Sequence, residues 1–256
     1  MSKCRCCYNI IKKPLFSAKL LKRDVSYFEC NNCGYVQTEE PYWLKEAYTS
    51  AINHSDTGIM ARNLSNLSLV VATLTMMKMR SSLVVDYAGG HGFLVRLLRD
   101  FGINALWSDP YCDNLVARGF EYKNEGHAKL ITAFETFEHF TNPCDEISKM
   151  LDIAPNILFT TSIISNPAPQ PVNWWYYGLE HGQHIGFYRI KTLRYISEKF
   201  GLSLISDGSG RHLLSKMKYS YQIWRMLIYL NNKIPKLFKI GLKSKTWNDH
   251  LLKSNK

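Results

Sequence analysis

The spacing of apolar positions changes several times along the chain, and each change predicts an element. Pro41 opens a helical segment whose stretch from Asn63 to Met79 is rich in leucine, methionine and valine, and Ser81-Ser82 breaks it. Leu83-Val84-Val85-Asp86 reads as a short buried strand, followed by the turn Tyr87-Ala-Gly-Gly-His-Gly92. Phe93 to Phe101 has helical spacing, which is expected to turn Arg96 and Arg99 outward. Further strands are predicted at Ala105–Asp109, Leu130–Phe134 and Ile157–Ser162, with helices at Pro143–Leu151 and Ile190–Phe200. Leu202–Asp207 and Arg211–Met217, joined by Gly-Ser-Gly, predict a closing hairpin. Strands alternating with helices predict an α/β fold with a parallel sheet covered on both faces. No internal repeat is visible.

Composition narrows the class. With 256 residues, 46% of them hydrophobic and 21% charged, the chain has enough apolar surface for a real core in one or two domains. That excludes a disordered chain, a collagen or a pure coiled coil. No apolar run reaches the roughly eighteen residues of a spanning helix. The start, MSKCRCCYNIIKK, has no apolar secretion core, so a cytoplasmic protein is expected. The formal charge of +11 is uneven: +3 over residues 1–40, −2 over 41–210 and +10 over 211–256. The basicity thus belongs to a tail, which weakens any inference from net charge to nucleic acid. Four segments follow from these patterns: 1–40, a helical lead-in at 41–80, an α/β domain at 81–217 and a basic, aromatic tail at 218–256.

Of seven cysteines, five lie in the first 33 residues. Cys4-Arg-Cys-Cys7 and Cys30-Asn-Asn-Cys33 are two knuckles separated by 22 residues, a spacing that lets Cys4, Cys7, Cys30 and Cys33 close a tetrahedron around Zn²⁺ in a zinc-ribbon-like element. The alternatives are a cluster of unliganded thiols, or Cys6 replacing Cys4 or Cys7. Cys112 and Cys144 read as ordinary buried thiols.

The strand, glycine-rich turn and helix around residue 90 make a nucleotide cradle. Asp86 ends the strand, Gly89, Gly90 and Gly92 let the backbone approach a ligand, and Asp109 ends the next strand, 23 residues on, where an acid accepts ribose hydroxyls. The competing reading is a packing turn with a helix-capping Asp. His91 reads as a space-filler or ligand neighbour.

On these residues the chain resembles the class I S-adenosylmethionine (SAM)-dependent methyltransferases. Their first motif, Asp/Glu-x-Gly-x-Gly-x-Gly, stands here as Asp86-Tyr-Ala-Gly-Gly-His-Gly92, with Ala88 at the first glycine position. The methyl of Ala88 is expected to sit at negative φ. Thr132-Ala-Phe-Glu135-Thr-Phe-Glu138-His139 is similar to the family's stretch after the fourth strand. The resemblance implies a Rossmann-like fold, with SAM held by Asp86, Ala88, Gly89, Gly90, Gly92, Asp109, Phe134 and Glu135.

A bacterial subgroup shares the four-cysteine element and the segment Trp174-Trp175-Tyr176-Tyr177…Gln183-His184-Ile-Gly-Phe-Tyr188. Several of its members are sugar or polysaccharide-cluster methyltransferases, which implies a sugar-like acceptor. Trp175, Tyr176, Tyr177, Glu180 and Gln183 offer the stacking faces and polar tips such an acceptor needs. The alternative is that the aromatics are core and the histidines cap a helix. For an acceptor hydroxyl the expected general base is His184, then His181, with His139 next. Gln183 and Glu180 are expected to orient the imidazole.

Two other functions compete: a nucleic-acid methyltransferase using the zinc element and tail, and a SAM-binding scaffold without turnover. The near-neutral body and the lack of an Asn/Asp-Pro-Pro-Tyr/Phe sequence oppose the first. Retention of Asp86, Gly90, Gly92 and Asp109 opposes the second. In the tail, Tyr219–Leu230 with lysines at 233, 236, 239, 243 and 245 fits either an anionic membrane surface or packing on the body or a second subunit.

Overall fold

The computed structural model describes residues 1–48, 56–124 and 126–254. The chain begins with β1 (Ser2–Lys3), β2 (Ile10–Ile11), β3 (Phe16–Leu20), β4 (Arg23–Glu29) and β5 (Val36–Thr38), then α1 (Leu44–Ala47) and α2 (Ile59–Met76). An alternating run follows: β6 (Leu83–Tyr87), α3 (Phe93–Phe101), β7 (Asn104–Ser108), β8 (Leu130–Phe134), α4 (Pro143–Ile153) and β9 (Asn156–Thr160). Next come β10 (Gly186–Phe187), α5 (Ile190–Lys199), β11 (Ser203–Ser206) and β12 (Arg211–Ser215). The last helices are α6 (Tyr221–Lys233), α7 (Pro235–Phe238) and α8 (Thr246–Ser254).

Six strands form one sheet in the order β11-β12-β9-β8-β6-β7, with β6 parallel to both β7 and β8. β11 and β12 are neighbours joined by the short turn at residues 207–210, too tight for a parallel crossover, so the sheet is mixed. Asp207 makes that turn by accepting the N–H groups of Ser209, Gly210 and Arg211 on one carboxylate oxygen. The α/β class and the closing hairpin match the sequence expectation.

The chain divides into two compact units. The first comprises Met1–Asn53, Glu135–Lys149 and Phe159–Leu214. In it β3, β4 and β5 form an antiparallel meander, and β10 adds to the free edge of β5. The N-terminal strands thus acquire a partner from residues some 150 positions away, which local patterning does not predict. Leu20, Val25, Tyr27, Trp43, Tyr177 and Phe187 pack in this unit's core. Arg189 pairs with Glu29 at 2.8 Å, and the Arg5 guanidinium donates to the carbonyl of Ile185.

The second unit comprises His54–Phe134, Met150–Leu158 and Ser215–Lys256. Here α2 buries Leu69 to Leu74, and α6 faces it with Trp224, Ile228 and Asn231, spaced one helical turn apart. The indole of Trp224 donates to Thr73 Oγ1 at 2.8 Å, and Asn231 donates to the Ser68 carbonyl at 2.9 Å. These two donors are satisfied as they are buried, which fixes how α6 packs.

One expectation about α3 is corrected. Arg99 is buried, and its guanidinium donates to both carboxylate oxygens of Asp249 in α8 at 2.6 and 2.7 Å. Arg96 adds a contact at 2.9 Å to the same carboxylate. Helical spacing turned Arg99 outward because its partner lies 150 positions away in the tail. A bidentate arginine–carboxylate pair tolerates burial that a lone cation does not.

Candidate functional site

The second unit carries the glycine-turn cradle. Asp86 is the fourth residue of the buried strand β6, so its carboxylate lies inside, where Thr132 of neighbouring β8 donates to it at 2.6 Å. Burial raises Asp86 to about 7, against the Thr132 hydrogen bond, and the charge of Asp109 adds to the rise. Asp109, just past β7, accepts the Gly90 N–H at 2.9 Å on one oxygen and those of Tyr111 and Cys112 on the other. One side chain therefore ties the turn to the end of the adjacent strand. Trp107 completes the tie by donating to the Gly90 carbonyl at 2.7 Å.

The turn needs unusual backbone. Gly92 has φ +87, and a Cβ there would stand 2.7 Å from Asn114 Oδ1. Gly90 has φ +53, and a Cβ there would meet nothing within 4 Å, so this side of the turn is open to a ligand. Ala88 departs from expectation: its φ is +55, not negative. A non-glycine residue in this region costs about 1–2 kcal/mol, so the alanine is held there by its surroundings. His91 lies with Nδ1 3.0 Å from the Asp113 carbonyl. Phe134 ends β8.

The first unit carries the histidines. His184 lies 2.6 Å by Nδ1 from the carbonyl of Tyr176. A carbonyl only accepts, so Nδ1 bears the hydrogen and Nε2 keeps a lone pair. His139 repeats this arrangement on the carbonyl of Gln183 at 3.0 Å, with the Tyr48 hydroxyl 2.8 Å from the same nitrogen. His181 is reversed: its Nδ1 accepts the Gln183 N–H at 3.1 Å, which places the hydrogen on Nε2. The rings of His139 and His181 lie 5.0 and 4.9 Å from that of His184.

Beside them Glu138 is fully buried, and neither of its oxygens has a hydrogen bond of good geometry. Burial, then the charge of Glu135, raises Glu138 to about 8. Burial lowers His139 to about 4, and burial followed by the neighbouring His139 holds His184 well below the usual imidazole range. Ligand atoms of Glu138, His139 and His184 lie within 4.8 Å of one another. Near neutral pH the cluster is a protonated acid beside two uncharged imidazoles.

Glu135 has φ +52, and Thr160 locks it twice: the hydroxyl accepts the Glu135 N–H at 3.0 Å and donates to its carboxylate at 2.8 Å. Glu135 lines a pocket of about 370 Å³ with Thr161, Ser162, Asp207, Ser209 and Arg211. Thr160 and Arg211 carried no sequence motif. A strained backbone at Glu135 marks this region, and φ is invisible in a sequence.

The aromatic segment divides. Tyr177 is core, its hydroxyl bound to the Pro169 carbonyl at 2.9 Å, and Trp175 is 79% exposed. Tyr176 is buried, with its hydroxyl 3.3 Å from that of Thr161. Gln183 does not orient an imidazole through its amide, which donates instead to the Ala47 carbonyl at 2.8 Å; its backbone does that work. Glu180 is exposed and lines a separate cleft with Lys19, Lys22 and Glu46.

Cys4, Cys7, Cys30 and Cys33 form one cluster within 4.8 Å. Sγ–Sγ distances are 3.6 Å for Cys4–Cys33 and 3.4 Å for Cys7–Cys30, far beyond a disulfide bond and close to the ~3.8 Å edge of a Zn–S₄ tetrahedron. The Cys4 thiol is pushed up by its hydrogen bond with Cys33 and then by burial. Cys6 stands outside the cluster, and its carbonyl accepts from Cys144 Sγ at 3.1 Å.

The methyltransferase-domain family matches residues 57–207. Among solved structures, the chain is similar to a magnesium protoporphyrin IX methyltransferase of Synechocystis PCC 6803 with bound S-adenosylhomocysteine (TM-score 0.48, 17% identity, 67% of this chain and 92% of that one). It is also similar to an O-methyltransferase family protein of Burkholderia thailandensis (TM-score 0.46, 14% identity, 69% and 68%). Human N-acetylserotonin methyltransferase in complex with SAM is a third (TM-score 0.44, 14% identity, 60% and 52%). None of these likenesses carries an argument about the acceptor. Comparison with curated protein sequences finds no match. Among the described residues no helix is long and apolar enough to cross a membrane.

Proposed function

The chain is a SAM-dependent methyltransferase of the methyltransferase-domain family, and from that premise we propose that it methylates a hydroxyl of a small sugar-like acceptor, such as a nucleotide sugar or a polysaccharide unit. The observation that carries this reading is the pair of imidazoles with Nδ1 fixed on backbone carbonyls. His184 keeps Nε2 for a proton, His139 is held by the backbone of both Gln183 and Glu135, and His181 has its hydrogen on Nε2. His184 is therefore the first general base, His139 the second, and His181 falls behind both.

SAM supplies an electrophilic methyl on a sulfonium when bound. Gly90 leaves the open side of the turn to it, Asp109 keeps an acceptor site on the oxygen that holds Gly90 for a ribose hydroxyl, and Asp86 is tied to β8 through Thr132. Ala88, Gly89, Gly92, Phe134 and Glu135 complete the proposed contacts. The uncharged imidazole of His184 takes the acceptor proton on Nε2, with the buried Glu138 beside it. The polar pocket containing Glu135, Ser162 and Arg211 suits the remaining hydroxyls of a sugar, and the exposed Trp175 is the other proposed acceptor contact. A structural Zn²⁺ on Cys4, Cys7, Cys30 and Cys33 fits the sulfur donor set and spacing, and four thiolates leave it no open position for catalysis.

Mass spectrometry of nucleotide sugars and surface glycans, with active enzyme and with a His184→Asn variant, tests the reading. A species heavier by one methylene only with active enzyme is expected. Methylation confined to oligonucleotides would overturn the acceptor class. Elemental analysis is expected to find one zinc per chain, and its absence from protein purified without chelator would remove the metal.

A further inference from the structure

The last helices of the second unit have two apolar faces, and only one is packed. In α6, Trp224, Ile228 and Asn231 face α2, while Ile223, Met226 and Tyr229 are 49, 52 and 62% exposed on the other side. Leu237 and Ile240 in and after α7, and Trp247 and Leu252 in α8, are likewise exposed. Lysines 233, 236, 239 and 243 are interleaved with these side chains and exposed.

The charge of this stretch is offset only in part: Asp100 accepts from Thr246 at the start of α8, and Lys253 acts on Glu121. Residues 211–256 carry eleven basic residues and one acidic residue, Asp249. Asp249 is only 4% exposed and is spent on Arg99 and Arg96. No acidic side chain among the described residues of the stretch therefore reaches the surface. Apolar side chains at this density mark an interaction face. Its occupant must be both anionic and apolar.

We propose that this face docks peripherally on a bilayer containing anionic lipid, with Ile223, Met226 and Tyr229 of the unpacked side of α6 entering the acyl boundary and the exposed Lys236, Lys239 and Lys243 that follow it lying at the headgroups. A second copy of the chain would bring two +10 surfaces together. A nucleic-acid backbone satisfies the lysines but gives exposed aliphatic side chains nothing to enter.

Co-sedimentation of the full chain with phosphatidylcholine vesicles, with and without phosphatidylglycerol, tests the proposal. Binding to the anionic vesicles that weakens with salt is expected. Lys236→Gln, Lys239→Gln and Lys243→Gln together are expected to lower partitioning about 100-fold, at roughly fivefold per lysine. Ile223→Ser with Met226→Ser is expected to reduce it further with Tm unchanged, because neither lies on the packed face. Equal binding to neutral and anionic vesicles, or none to either, would overturn the proposal. So would oligonucleotide binding indifferent to the Ile223 and Met226 changes with vesicle binding absent. A dimer that dissolves on those changes, without lipid binding, would assign the face to a second copy.

Discussion

The glycine-turn cradle and the histidine cluster solve similar problems by opposite means. In the cradle, residues 86–92 and 107–112 hold one another through backbone groups: Asp109 alone takes three N–H donors. Its ligand-facing part is peptide, and its side chains mainly keep the peptide in place. In the cluster, side chains far apart in sequence carry the chemistry, and backbone groups fix the rings: carbonyls for His184 and His139, an N–H for His181. A cradle of this kind loses affinity when its ties are cut. A cluster of this kind loses rate when one atom is removed.

The largest expected effect is therefore in the cluster. His184→Asn is expected to lower turnover on the true acceptor by about 10²–10⁴ with SAM affinity unchanged, read by steady-state kinetics and calorimetry. Near wild-type turnover in both this variant and His139→Asn would place the base elsewhere. In the cradle, Asp109→Ala is expected to weaken SAM binding by about 1–3 kcal/mol while the protein stays folded. Unchanged affinity would mean that the turn holds its ligand without the tie.

Glu138 gives the comparison a pH signature. Its folded value, raised to about 8 by burial, means that the native state keeps a proton the unfolded chain gives up. Its contribution to stability is thus full below the ordinary carboxylate range and is lost as pH rises through about 8. His139 acts oppositely, costing stability as pH falls from the usual imidazole value toward about 4, and Asp86, raised to about 7, shares the decline below that pH, so the part of the slope that Glu138→Gln removes reports Glu138. Glu138→Gln should flatten the decline in Tm between pH 6.5 and 8. An unchanged slope would show that Glu138 is ionised in the native protein.

The smallest effect returns to the cradle. Ala88→Gly relieves a left-handed alanine worth about 1–2 kcal/mol and returns part of it as unfolded-chain entropy. A net gain of about 0.5–1 kcal/mol in denaturant unfolding is expected, and a loss would show that the Ala88 methyl packs usefully.

Much of this was readable in advance where the physics is local. Two Cys-x-x-Cys knuckles, a strand ending in Asp86 and a turn of small residues report themselves because their geometry is made by neighbours in the chain. The prediction for Phe93–Phe101 matched to the residue because Gly92 and Gly102, both left-handed, stop the helix at each end. The misses are all non-local or conformational. Helical period points Arg99 outward because Asp249 is invisible to it. Sequence proximity suggests the Gln183 side chain for a role that its backbone fills. An ordinary φ is expected at Ala88 because residue type does not report backbone angle.

The sequence by itself determined the α/β alternation, the cysteine set, the glycine turn and its two aspartates, and the concentration of positive charge after residue 210. Each depends on residue type and short spacing, which folding does not rearrange. Only the tertiary structure decided which imidazole nitrogens are basic, that Glu138 is buried among them, and which face of α6 is spent on packing. Those depend on burial and on hydrogen bonds spanning from a few positions, as in His184–Tyr176, to more than a hundred, as in Trp224–Thr73, and each partner is set only once the backbone has folded.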